Sequence, residues 1–382
     1  MLQRYGMSVP FGERGGALRG VVDLACGRLP RFVFGGGVGP LLPAFHFHNE
    51  LRSDLEPKLR YLLENGYRTV NADELAAVAT GRRRPGSREV ALCFDDAWAT
   101  VWTDAAPLLR SFGQTAIVYA IAGRISDADR CRPDSPSDSN LADTSSPFMT
   151  WPELRALASA GAIDVQSHTW SHAMVFTSMD VVDFVRPEYA RTPLLNRPML
   201  TDTPRLRVVE PTDLGAPLYQ QRSRMSDGRR TDVSGDVHQA CIETVSRAGG
   251  LAFFERPDWR AMLQSVVAKS RGRDRVETDA EHRAAIEAEL DRSRRELNAR
   301  LGTNRVRHVC LPWGVSGATT FAALTRLGFV SAVANRWRGV FAVRPGDDPL
   351  WLKRLPNRYI FSLPGHGRRT WFASARGSGT PQ

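Results

Sequence analysis

Apolar and polar positions alternate along this chain in two periods, and the periods themselves alternate. Pro43-Ala44-Phe45-His46-Phe47-His48 has strand periodicity. From Asp54 to Glu64, Leu55, Leu59, Leu62 and Leu63 recur at helical spacing, and Asn65-Gly66 follows as a C-terminal stop. Tyr67 to Val70 returns as a strand, Asp73 to Thr80 reads as a helix, and Pro85-Gly86 marks a turn. The run Val90-Ala91-Leu92-Cys93-Phe94 is a short buried strand. A helix over Ala105–Phe112, halted at Gly113, leads into a strand from Thr115 to Ile121. Met149-Thr150-Trp151-Pro152-Glu153-Leu154 starts another helix, and Ala162 to Ser167 is again strand-like. Strands that alternate with helices predict an α/β fold with a parallel sheet, closed here as a distorted (β/α) barrel.

Two stretches interrupt this rhythm. Arg124 to Pro147 is rich in Asp, Ser and Pro and is expected to be a surface loop or flap. Ala173 to about Arg283 is far longer than a barrel connection needs. Its first half, rich in Pro and Arg, reads as irregular, and its second half carries helices over Asp236–Ala248 and Pro257–Val267. The expected organisation is a Gly-rich, irregular arm at 1–40 and a barrel built from 41–176 and 286–362. A large insertion at 177–285, either peripheral or a substrate cap, and a flexible tail at 363–382 complete it.

The chain has 382 residues, 42% of them hydrophobic and 24% charged, which supplies an ample core. No apolar stretch approaches the roughly 20 residues of a membrane-spanning helix. Glu13, Arg14, Arg19 and Asp23 interrupt the first thirty residues, so no secretory leader is read there. Five widely spaced cysteines without a CxxC pair suit reduced thiols, and a cytoplasmic location is expected. The formal charge of +10 comes from arginine, since Lys58, Lys269 and Lys353 are the three lysines. Arginines cluster at 82–84, 222–224 and 229–230 without a recognition helix or RNA-binding signature. No nucleic-acid partner is expected; attraction to an anionic or membrane-associated substrate is the partner class this charge allows.

The candidate chemistry lies at strand ends. Asp95 and Asp96 close one apolar run, and His168-Thr169-Trp170-Ser171-His172 follows another. Two imidazoles and one carboxylate form an N,N,O set for a divalent ion that leaves positions open for water and substrate. The second carboxylate is then placed to take a proton from that water.

These residues resemble the polysaccharide deacetylases, the NodB-homology family of carbohydrate esterases. The family's Phe-Asp-Asp-Gly is matched by Phe94-Asp95-Asp96-Ala97, its His-Ser/Thr-x-x-His by His168 to His172, and its Pro-Tyr-Gly by Pro312-Trp313-Gly314. The helix from Glu289 to Leu301 precedes the third motif, as in the family. The resemblance implies that Asp96, His168 and His172 hold one divalent ion, with zinc the expected metal, and that Asp95 is the general base. It also implies that the Trp313 backbone N–H helps hold the oxyanion, and that the substrate is an N-acetylated carbohydrate.

Departures from the family pattern sharpen the expectations. Many members carry the general acid in a C-terminal Leu-x-x-His; here His366 stands in a Gly-rich segment instead. An exopolysaccharide-type subgroup places that histidine after the first strand, which makes His48 the expected acid. The arginine that positions the base would fall at Cys310, and Arg354 is the candidate replacement. The leading reading is de-N-acetylation of an N-acetylhexosamine in a glycan or in a lipid- or nucleotide-linked precursor. Deformylation or de-O-acetylation on the same site, and an inactive glycan-binding relative, are the alternatives.

Overall fold

The computed structural model describes residues 26–133, 146–201, 206–233, 235–270, 272, 275–334 and 340–369. The chain divides into two compact units. Among the described residues, one comprises 26–170 with Glu289–Gly314 and the segment from Leu324; the other comprises Ser171–Ala288 and Val315–Ala323. In chain order the described strands are β1 Ala44–Phe47, β2 Arg68–Thr69, β3 Glu89–Asp96, β4 Ala116–Ala120, β5 Ile163–Ser167, β6 Met174–Phe184, β7 Met199–Thr201, β8 Arg207–Val208, β9 Pro217–Ser223, β10 Thr231–Asp232, β11 Arg275–Val276, β12 His308–Cys310, β13 Ser331–Val333 and β14 Leu355–Pro356.

The first unit is built on a parallel sheet in the order β13-β12-β5-β4-β3-β1-β14, with β2 also on β3. The sheet curls into a half-barrel. Its two edges meet through a single parallel bridge, Val333 to Leu352, secured by Leu352 N–H to the Ala332 carbonyl at 2.9 Å. Both faces of β3 are buried, which is why its sequence reads as an unbroken apolar run. Ala44, Ala91, Cys93, Ile117, Tyr119 and Cys310 fill the concave side. Phe45, Phe47, Leu92, Phe94 and Val118 face the helices, and the Phe47 and Phe94 rings stack at 4.7 Å.

Local signals fix the helices. Arg52–Glu64 ends at Asn65, and Gly66 takes φ 67°, the left-handed conformation that glycine adopts without strain. Ala72–Ala79 begins with a reciprocal capping box between Asn71 and Glu74, and Trp151–Ser159 with one between Thr150 and Glu153. The first twenty-five residues of the expected arm lie outside the described residues. Of the remainder, Phe32 and Val33 are fully buried, and the Arg368 guanidinium donates to the carbonyls of Phe32, Gly35 and Gly36. The tail is described to Arg369, and its first residues are held at the base of the sheet: Tyr61 Oη donates to the Leu363 carbonyl at 2.6 Å, and Tyr67 Oη to that of Pro364 at 2.9 Å.

The second unit corrects one expectation. Its first half is not irregular, because β6 and β9 form an antiparallel pair from Met174↔Ser223 to Phe184↔Pro217. Two register shifts, between Phe176 and Val181 and between Val181 and Asp183, break the in–out alternation that would have revealed it. Helices Gly235–Arg247 and Trp259–Ser270 share a core of Phe184, Val237, Cys241, Phe253 and Leu263. Among the described residues no helix is long and apolar enough to cross a membrane.

Candidate active site and metal centre

The C-terminal ends of β1, β3, β5 and β12 deliver the motif residues. Strained backbone concentrates there: the positive-φ residues other than glycine are Asp96 (71°), Ala97 (58°), Thr169 (65°), His172 (55°) and Trp313 (54°). Each belongs to one of the three motif loops. A left-handed non-glycine residue costs roughly 1–2 kcal/mol, and its clustering in turns that carry polar side chains marks a site.

Asp96, His168 and His172 are all buried, and their ligand atoms lie within 4.8 Å of one another. The donor set fits a divalent cation on three counts. The His168 Nδ1 stands 2.6 Å from the Cys310 carbonyl, so its N–H is donated there and Nε2 faces Asp96 Oδ1 at 3.3 Å. Trp98 Nε1 donates to Asp96 Oδ2 at 2.9 Å, which orients the carboxylate with Oδ1 toward the imidazole. Burial opposes a positive charge on His168, yet its neighbours Cys310, Asp96 and Asp95 outweigh burial and raise its pKa well above the ordinary value.

Asp95 has a different environment. Arg354 grips it with two parallel hydrogen bonds, Nη1 to Oδ1 at 2.7 Å and Nη2 to Oδ2 at 2.6 Å. Burial would raise the carboxyl's pKa; the guanidinium charge and its hydrogen bonds prevail and hold it well below the usual carboxylate range. Arg354 also approaches Cys310 Sγ at 3.1 Å and lies over the Tyr119 ring. Both oxygens of Asp95 are thus committed, whereas Oδ1 of Asp96 is turned to the histidine.

His48 follows β1, exposed, with Nε2 at 3.7 Å from Asp95 Oδ2. His46, one alternation earlier, has its pKa pushed down to about 3 by burial first and then by the Arg354 charge. It stays neutral and cannot serve as an acid near neutrality. His366 lies elsewhere: its N–H donates to Asn65 Oδ1 at 2.6 Å, past the C-terminus of helix Arg52–Glu64 and just before β2, at the opposite end of the sheet. Trp313 occupies the turn Pro312–Gly314 after β12, where its left-handed backbone reorients the peptide.

Sequence reasoning gave no role to Trp98 or Cys310. Trp98 sits two residues beyond Asp96, and an aromatic in that place carries no signal of its own. Cys310 Sγ belongs to a second cluster with Asp95 and His168, whose ligand atoms also lie within 4.8 Å. The Arg354 clasp on Asp95 competes with any metal in that second set.

A polysaccharide deacetylase family model matches residues 82–192. The chain is 28% identical over 215 residues to a poly-beta-1,6-N-acetyl-D-glucosamine N-deacetylase of Escherichia coli O157:H7. It is 27% identical over 215 residues to the enzyme of that description from Escherichia coli strain K12. Each match covers 53% of this chain and 28% of the relative, so the chain corresponds to under a third of those proteins' length. Among solved structures, the deacetylase domain of BpsB from Bordetella bronchiseptica superposes with a TM-score of 0.50 at 18% identity, covering 84% of this chain and 96% of that one. The likeness extends to the fold.

Proposed function

We propose, from the premise that this chain carries a polysaccharide deacetylase domain, that it is a metal-dependent hydrolase removing N-acetyl groups from N-acetylhexosamine residues of a glycan. The observation that carries this reading is the division of labour between adjacent aspartates, Asp95 clasped by Arg354 and Asp96 turned to His168. Asp96, His168 and His172 would hold the ion. Bound there, a divalent cation supplies Lewis-acid activation of the attacking water and of the acetyl carbonyl.

The remaining roles fall to the chain's own groups. Asp95, kept ionised by Arg354, accepts the proton of the attacking water. The Trp313 backbone N–H donates to the oxyanion that develops on the acetyl oxygen. His48, exposed beside Asp95, protonates the departing amine nitrogen. The products are acetate and a free amino sugar. The names of the Escherichia coli relatives support a β-1,6-linked N-acetylglucosamine polymer as the first substrate to try.

Release of free amine from N-acetylglucosamine oligomers tests the proposal. Activity should disappear on chelation and return with added zinc or another divalent ion. Amine release that persists at full rate after exhaustive chelation would overturn metal dependence.

A further inference from the structure

The end of the sheet opposite the motif loops carries a second concavity. A cavity of about 380 Å3 opens at the start of β4 and β5, between the helix start at Asn71, the C-terminal half of the helix Trp151–Ser159 and the loop before β12. Its size falls in the range of small-molecule pockets. Asp164 and His168 are four positions apart along β5 and the turn, so about 13 Å of extended chain divides this cavity from the candidate metal centre.

Its charges are unevenly satisfied. Asp73 Oδ1 accepts from Arg307 at 2.8 Å and stands 2.9 Å from His308 Nε2, and those partners hold its pKa below the usual carboxylate range, His308 foremost. Asp164 accepts the Ala72 N–H on one oxygen at 2.8 Å and the Gln166 amide on the other at 2.7 Å. Both acids are therefore occupied by donors. The two arginines that line the cavity, Arg155 and Arg305, are exposed, and among the described residues neither guanidinium has a hydrogen bond or ion pair. They come from different elements, the helix Trp151–Ser159 and the loop preceding β12. Ser159 adds a hydroxyl, and Asn71, whose Oδ1 caps its own helix, adds the Nδ2 donor.

We propose that this cavity binds a phosphate-bearing small molecule through the paired forks of Arg155 and Arg305. Guanidinium matches a phosphate with two parallel N–H···O bonds, and the lining hydroxyl and amide groups suit a polar body such as a sugar. The acids do not repel the ligand outright because Arg307, His308 and backbone donors already engage them.

Titration calorimetry of the full chain with glucose 1-phosphate tests this, with glucose as the uncharged control. Saturable binding of the phosphate ester and none of glucose is expected. Arg155→Gln and Arg305→Gln should each weaken binding by about tenfold, and Arg→Lys at either position should recover part of it, because lysine keeps the charge and loses the fork. Both arginines are exposed and unbonded, so the variants should melt as the parent does. Failure of the parent to bind the ester saturably, or equal affinity in the double Gln variant, would overturn the proposal.

Discussion

Arg354 reaches Asp95 across 259 positions of sequence and holds both of its carboxylate oxygens, at 2.7 and 2.6 Å. The guanidinium also touches Cys310 Sγ at 3.1 Å.

The first prediction follows from that pair. In the parent the Asp95 carboxyl titrates far below its unfolded range, so the stabilisation is complete above that range and is lost only as pH falls through the depressed folded value. Arg354→Gln removes the largest influence opposing burial and raises the Asp95 pKa. The acid limb of the pH–rate profile should move upward, and stability should drop by about 3–5 kcal/mol, the usual loss when a buried pair is broken. An unmoved acid limb would separate Arg354 from the ionisation of Asp95.

Metal retention should divide the two aspartates. His168→Ala and His172→Ala are each expected to lose stoichiometric zinc, measured by mass spectrometry of the purified protein. Asp95→Asn should keep it while turnover falls by on the order of a hundredfold. Full metal in both histidine variants would disprove the ligand set, and metal loss in Asp95→Asn would reverse the roles of Asp95 and Asp96.

His48 and His366 make opposite predictions. His48 lies 3.7 Å from Asp95, while His366 is tied to Asn65 at the far end of the sheet. His48→Ala should slow turnover by roughly a hundredfold, with metal content unchanged. His366→Ala should match the parent. Equal rates in the parent and His48→Ala would require a different acid.

Trp98→Phe preserves a ring to stack on Phe148, whose centroid lies 4.7 Å from that of Trp98, and deletes the donor to Asp96 Oδ2. Removing such an outer partner typically weakens metal binding by about 10–100-fold. A competition titration with a chromogenic chelator reads this directly, and parent-like affinity would show that the indole N–H does not orient the ligand.

The chain announces its sheet and its motif loops more clearly than their supports. β3 and β4 are legible because strands buried on both faces carry unbroken apolar runs, and β1 and β5 because apolar residues recur at strand spacing just before the motif residues. Asp96, His168 and His172 are legible because donor type and spacing are chemical facts of the sequence. Arg354 could be named only as a candidate, since no local pattern specifies which of many arginines crosses the sheet. The β6–β9 pair escaped detection for a physical reason: its register shifts destroy period-two alternation. Trp98 escaped because its role lies in one hydrogen bond rather than in a pattern.

The remote origin of the clasp bears on the order in which the site is assembled. As the chain emerges from its N-terminus, the three candidate metal ligands are all available once His172 has been made. The guanidinium that governs Asp95 arrives 182 residues later, counting from 172 to 354. A chain cut between those points could present metal donors while lacking the charge that keeps the neighbouring carboxyl ionised. Under the proposed roles, the metal donors and the charge beside the base are supplied at separate points of synthesis, the second just before the last described strand, Leu355–Pro356.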